Sequence, residues 1–251
     1  MSDMQGSSRR TVEAYSDPRC VAVYDALEDL QRSDLKVYAA IVEEFDADSV
    51  LDVGCGTGTL ALMLARQGCT VTAADPSSAA LDVAQKKSDA EGVNWVHGTA
   101  PDVLPIQVDM TLMTANAAQE ISADRDWAET VSAIHAALRP GGRFVFESRD
   151  PAKRAWESWT KEKTRQVVEV AVEGQVESWV QLRSVDGDTV VFDSPTIFQR
   201  DGERIDATST LRFRSRESLR QSLESAGFCV DEIRDAPDRP GREFVFVARK
   251  V

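Results

Sequence analysis

Asp52, Gly54, Cys55, Gly56, Thr57 and Gly58 belong to one run, D-V-G-C-G-T-G, whose residue types and spacing suit capture of a small ligand. Glycines at alternate positions let the backbone turn sharply and come close to a bound molecule, where a Cβ would intrude. Residues 50–53 read as a short buried strand entering the turn, and residues 59–66 as a helix leaving it. The first N–H groups of that helix lack partners and would accept an anion. Asp52, just ahead of the turn, could neutralise an ammonium directly or through water. A diphosphate gains nothing from Asp52. The dinucleotide fingerprint G-x-G-x-x-G also fails, because Thr59 stands where its third glycine belongs.

A second acid, Asp75, lies seventeen residues beyond Gly58, at the end of a strand over residues 70–74 and before Pro76. In a doubly wound sheet an acid there can accept hydrogen bonds from both hydroxyls of a ribose. Read singly, Asp52 could be a helix-dipole carboxylate and Asp75 a turn residue. Read together, their spacing suits an amino acid joined to a nucleoside.

On these residues the sequence resembles the class I S-adenosylmethionine-dependent methyltransferases of small-molecule type. Asp52, Gly54, Gly56 and Gly58 match the family's first motif and Asp75 its ribose acid. The likeness continues through residues 93–100, similar to the third strand and adenine-side loop, and residues 108–114, similar to the fourth strand. Leu138, Arg139, Pro140, Gly141 and Gly142 resemble the turn before the fifth strand. The resemblance implies a Rossmann-like, doubly wound α/β sheet of seven strands with the last antiparallel, and S-adenosylmethionine as cofactor. It implies donor contacts from Asp52, Gly54, Cys55, Gly56, Gly58, Asp75, Pro76, Thr99, Ala100 and Asn116. Many members carry an acid where this chain has Thr99; here the Thr99 hydroxyl and the Ala100 N–H could reach adenine, with Asp102 as a substitute acid.

Acceptor candidates lie on the cap and at the strand ends. Tyr15 and Tyr24 could line the acceptor pocket, although Tyr24 could equally pack on the sheet. Asn116 is followed by Gln119 and Glu120 at the carboxyl edge where open α/β sheets bind ligands. Arg149 could hold an acceptor carboxylate, or pair with Glu147 or Asp150. His97 could flank adenine or act as a base, against the plainer reading of a satisfied histidine at a strand end, whereas His135 reads as structural. No side chain is assigned a catalytic role: methyl transfer is chiefly a matter of alignment and water exclusion, and whether a base is also needed depends on the acceptor, since an enol or phenol must lose a proton and a free amine need not.

The elements that must position these residues fall into one domain of four parts. Residues 1–47 are expected to form an N-terminal helical cap, with a frayed tail over 1–10, helices over 18–31 and 34–45, Leu30 on the apolar face of the first, and Ser33 capping the second. Residues 48–149 form the donor-binding core. Residues 150–214 break the strand–helix alternation and read as an inserted antiparallel β lid: a short helix over 151–159, then strands over 165–172, 176–184, 188–199 and 203–213. Asp186-Gly187 and Asp201-Gly202 are hairpin turns. Residues 215–251 return to the core, with Ser215 capping a helix that Gly227 ends.

Composition narrows the function classes. The 251 residues carry a net charge of −13, against a nucleic-acid partner, which needs a concentrated basic surface. Four scattered cysteines show neither disulfide nor zinc spacing, so no metal is expected. No run resembles a signal peptide or a membrane span, which points to a cytoplasmic protein with no membrane partner. The reading is methyl transfer from S-adenosylmethionine to a small molecule. A donor-binding protein with a non-methylating or sensing role is the first alternative, and a nicotinamide-dependent oxidoreductase the second. The acceptor and the oligomeric state stay open, a dimer included.

Overall fold

The computed structural model describes residues 9–28 and 33–251, the side chain of Ser33 excepted. β1 (Arg9–Glu13), α1 (Pro18–Leu27) and α2 (Ser33–Glu44) come first. An alternating core follows, with β2 (Ser49–Val53), α3 (Thr59–Arg66), β3 (Thr70–Asp75), α4 (Ser78–Ala84), β4 (Val93–His97) and β5 (Val108–Met113). Next are α5 (Ala117–Glu120), α6 (Asp124–Ala137) and the long β6 (Leu138–Arg149). α7 (Lys161–Thr164) precedes β7 (Gln166–Val170), β8 (Gly174–Ser178), β9 (Gln181–Asp186), β10 (Thr189–Phe198) and β11 (Glu203–Arg212). α8 (Arg216–Ser225), β12 (Phe228–Asp235) and β13 (Glu243–Lys250) return to the core.

The core sheet has seven strands in the order β12-β13-β6-β5-β2-β3-β4, and β13 runs antiparallel to both its neighbours. Side chains alternate across a strand, and here both faces are apolar. Val50, Val145, Val245 and Val247 pack with Leu35, Leu60 and Leu64 on one side. Leu51, Phe144, Phe146 and Phe246 pack with Trp127, Ile134, Leu219 and Leu223 on the other. Phe146 stacks on Phe144 at 4.7 Å and on Phe246 at 5.0 Å. Burial on both faces explains why these strands read as near-continuous apolar runs. The strand order reverses between β2 and β5, and the crevice beside such a reversal is where ligands bind in open α/β sheets.

The inserted strands form a second sheet in the order β1-β11-β10-β8-β7, with β9 also on β10. Gly187 (φ 57°) and Gly202 (φ 73°) turn the two expected hairpins with the left-handed backbone such turns require. Trp156 and Trp159 both pack on Phe213, at 4.6 and 6.1 Å.

Several local expectations change. Arg9 and Arg10 are not frayed: they begin β1, which pairs in parallel with β11, and the Arg9 side chain bonds Asp206 at 2.6 Å. The first cap helix stops at Leu27; Leu30 lies outside the described residues, as does the side chain of Ser33 that was expected to cap α2. The helix expected over 151–159 is two short 3₁₀ turns, Pro151–Lys153 and Ala155–Ser158. The strand expected over 176–184 is broken into β8 and β9 at Trp179 and Val180, where the Thr164 hydroxyl accepts from the Val180 N–H at 2.9 Å. Leu138 to Gly142 are the irregular opening of β6: α6 stops at Ala137, Gly141 takes φ 81°, and the pairing with β5 jumps from Leu138 to Arg143, so the expected glycine turn is present but lies within the strand. Ser215 caps α8, its hydroxyl accepting from the Ser218 N–H at 3.1 Å. No helix among the described residues is long and apolar enough to cross a membrane.

Candidate functional site

A cavity of about 930 Å³ opens at the carboxyl ends of β2, β3 and β5, between the core sheet and the inserted one. Its floor is the glycine-rich turn. The Gly54 and Cys55 N–H groups donate to the Ala74 carbonyl at 2.8 and 3.1 Å, which holds the turn against β3. Gly56 adopts φ 54° and a Cβ there would meet nothing within 4 Å, so the backbone is open to a ligand. Gly58 (φ 76°) does not line the cavity. It faces the opposite way, and a Cβ there would overlap the Trp95 ring and stand 3.0 Å from Ala84 Cβ.

The two acids flank this turn. Asp52 lines the cavity, is 1% exposed and has both carboxylate oxygens without a hydrogen-bond partner. Burial, with the Asp75 charge nearby, pushes its pKa up to about 7. An orphaned buried carboxylate costs stability unless a cation meets it, so the site is built for a cationic group. Asp75 accepts from the Gly56 N–H at 2.8 Å and the Ser77 N–H at 2.8 Å, and burial also raises its pKa. Pro76, Thr99 and Ala100 line the same cavity, together with Asp126, Glu129 and Thr130 of α6. Asp102 is turned aside: its carboxylate accepts from the Thr99 N–H at 2.7 Å and the Thr99 hydroxyl at 2.9 Å, capping a short 3₁₀ turn. His97 holds the Pro76 carbonyl at 3.0 Å and is not in the lining; it is the satisfied strand-end histidine.

Three expected contacts lie behind the cavity wall. Ala115 and Asn116 both take left-handed backbone (φ 54° and 60°), which carries the Asn116 side chain away from the cavity and toward Glu243 at 3.3 Å. Gln119 is buried and accepts from the Arg149 guanidinium at 3.0 Å. Arg149 pairs with Glu243 at 3.7 Å, rather than with Glu147 or Asp150, and lies over Trp159. Arg239 joins the network through Glu243 at 2.7 Å, and the Tyr38 hydroxyl donates to Glu147. These groups bond one another and brace the ends of β6 and β13, while the Asn116 Oδ1 is buried without a partner.

The neighbour of Gln119 is the one that faces inward. Glu120 lines the cavity, and burial raises its pKa to about 7 against the lowering effect of Arg149. Tyr15 and Tyr24 also line it, edge to face at 5.9 Å. Tyr15 sits at φ 59°, a strained conformation for an aromatic residue, and the residue as a whole is 45% exposed. Its carbonyl accepts from the Ser77 hydroxyl at 2.6 Å, tying the entry to α1 onto the core. Thr208, Ser209 and Thr210 of β11 form the roof. Sequence reasoning missed β1 as part of that roof and Glu120 as the inward side chain of a one-turn helix; a single turn carries no periodicity to read.

Known proteins agree with this geometry. A family profile described as "Methyltransferase domain" matches residues 50–142. A Streptomyces cypemycin N-terminal methyltransferase is 33% identical over 149 residues, which cover 55% of this chain and 60% of that protein's length. The solved structure of the CcbJ methyltransferase from Streptomyces caelestis superposes with a TM-score of 0.78 at 21% identity, covering 95% of this chain and 98% of the other. The S-adenosylmethionine-bound structure of CalS10, an amino pentose methyltransferase from Micromonospora echinaspora, superposes with a TM-score of 0.69 at 19% identity, covering 92% and 95%.

Proposed function

We propose that this protein, whose residues 50–142 match a methyltransferase-domain profile, belongs to the class I S-adenosylmethionine-dependent methyltransferases and transfers the donor's methyl group to a small-molecule acceptor held beneath the inserted sheet. One observation carries the reading: Asp52, buried and unpartnered, faces the same cavity as the exposed backbone of Gly56 and the carboxylate of Asp75. Together they match an ammonium, a carboxylate and a ribose at the right ends of one molecule. In the bound state the Asp52 carboxylate would meet the ammonium, the α3 N-terminus the carboxylate, and Asp75 the ribose hydroxyls. The Thr99 and Ala100 backbone, with Asp126 and Glu129 of α6, would border the adenine. The donor supplies an electrophilic methyl carbon; the chain supplies alignment and exclusion of water.

The four parts of the chain serve one reaction in this reading, with 150–214 as the roof over the acceptor and the cap carrying Tyr15 and Tyr24 beside it. The enclosed cavity suits a small molecule better than a polymer, and the free thiols of Cys20, Cys55, Cys69 and Cys229 suit the reducing cytoplasm. The comparison proteins are named for different acceptors, a peptide N terminus and an amino pentose among them.

Calorimetric titration with S-adenosylmethionine, S-adenosylhomocysteine and NADH tests the reading. Binding of the first two and not the third is expected, and tight NADH binding alone overturns it. Transfer of labelled methyl to small molecules then separates an enzyme from a donor sensor.

A further inference from the structure

Beyond the residues assigned to the donor, the lining of the same cavity is chemically one-sided. Glu13, Tyr15, Tyr24 and Glu120 belong to it, with Ser209 and Thr210 of β11 on the side of the inserted sheet. Among the described residues no lysine, arginine or histidine lines any part of the cavity, whereas Asp52, Asp75, Asp126 and Glu129 add to its carboxylates. Arg149 is not in the lining and is held by Gln119 and Glu243, and Lys87, also outside it, is paired with Asp25. A carboxylate- or phosphate-bearing acceptor would meet negative charge and no counter-ion here.

We propose that the acceptor is an amine, and that Glu120 is the catalytic residue that takes its proton. The proposal rests on the methyl-transfer reading above. Glu120 makes no hydrogen bond among the described residues, lines the cavity from the end of the one-turn α5 as a solvent-exposed residue, and lies close enough to Tyr15 and Arg149 to interact electrostatically with both. An amine enters as the ammonium, drawn by the carboxylates. A neutral nitrogen is needed for attack, so Glu120 accepts one proton and leaves a free lone pair. The lone pair forms a bond to the methyl carbon while the carbon–sulfur bond breaks and its electron pair stays on sulfur. The positive charge passes from sulfur to the methylated ammonium, and the proton on Glu120 returns to solvent when product leaves. A carboxylic acid whose pKa lies near 7 is suited to that exchange at neutral pH. The Tyr15 hydroxyl, with its pKa raised by burial, stays protonated and can orient the nitrogen.

The test uses the full chain. Donor-product affinity is measured first, by calorimetry with S-adenosylhomocysteine, for wild type and Glu120→Gln; a wild type that does not bind it has failed the methyl-transfer reading, not this one. The loaded wild type is then titrated with three amines (glucosamine, tyramine and a dipeptide amide with a free N terminus), each beside a counterpart in which hydroxyl or carboxylate replaces the amine. At least one amine should bind tenfold or more tightly than its counterparts and accept labelled methyl on nitrogen. Glu120→Gln should keep S-adenosylhomocysteine affinity within threefold, lower kcat by 10²–10³-fold, and lose the limb near pH 7 from its kcat profile. Binding of no amine, preference for the hydroxyl or carboxylate counterparts, or an unchanged pH limb in Glu120→Gln overturns the proposal.

Discussion

Asp52→Asn separates the cost of the empty site from its use. In the unfolded chain an aspartate ionises near 3.8, whereas burial raises folded Asp52 to about 7. Between those values the folded state holds a proton that the unfolded state has released. Stability therefore falls as pH rises through this window and levels off above 7. At about 1.4 kcal/mol per pH unit, the full loss is roughly 4 kcal/mol, of which about 2 kcal/mol falls between pH 5 and pH 7 and a little more by pH 8. Asparagine keeps the shape and never ionises. Urea unfolding of the ligand-free protein at pH 5 and pH 8 should show the variant's advantage over wild type growing by about 3 kcal/mol, or somewhat less if water enters the cavity. At pH 8 the same variant should bind S-adenosylmethionine about 10- to 100-fold more weakly, the worth of a charged hydrogen bond of roughly 1.5–3 kcal/mol. A substitution that improves the fold while damaging binding is the signature of a charge held for a ligand. Parallel pH dependences in the two proteins would refute the argument, because they would mean Asp52 is already solvated or paired.

Other perturbations probe the remaining parts. Asp75→Ala removes the expected ribose acceptor and an anchor of the Gly56 and Ser77 N–H groups; calorimetry should show donor affinity reduced by roughly 1.5–3 kcal/mol. Gly58→Ala forces a side chain into left-handed backbone and onto Trp95, so thermal unfolding should report a loss on the order of 1–3 kcal/mol. Arg19 joins α1 to Glu173 at 2.6 Å and to Glu203 at 2.5 Å, and lies over Phe198 at 3.7 Å. Arg19→Ala should therefore cost about 1–2 kcal/mol in denaturant unfolding and hasten proteolysis near Gly174.

The glycine-rich half of the cavity was legible because its constraints are local. The turn from Asp52 to Gly58, the distance to Asp75 and the following helix all lie within one continuous segment, and a positive φ leaves glycine as its mark. The opposite half was not, because its walls come from distant segments. Gln119 and Glu120 are adjacent residues of similar chemistry, and which one turns inward depends on Ala115 and Asn116 both taking left-handed backbone, which the sequence does not announce. Asn116 and Arg149 were placed at the correct sheet edge but on the wrong side of its wall, since Glu243, their partner, arrives from β13 at the far end of the chain. Arg9 and Arg10 read as tail because a five-residue strand with exposed polar residues looks like any polar terminus until β11 lies beside it.

The pairing of β1 with β11 also sets an order of assembly. Arg9 and Asp206, which bond across it, are 197 residues apart, so closing this contact constrains nearly the whole described chain. During synthesis β1 has no strand to join until β11 has left the ribosome, whereas β2, β3 and β4 can pair early with near neighbours in sequence. The surface proposed to hold the donor can thus form well before the surface proposed to confine the acceptor. Pulse-labelled hydrogen exchange during refolding should show protection of Val50 and Val71 preceding that of Val12 and Ala207.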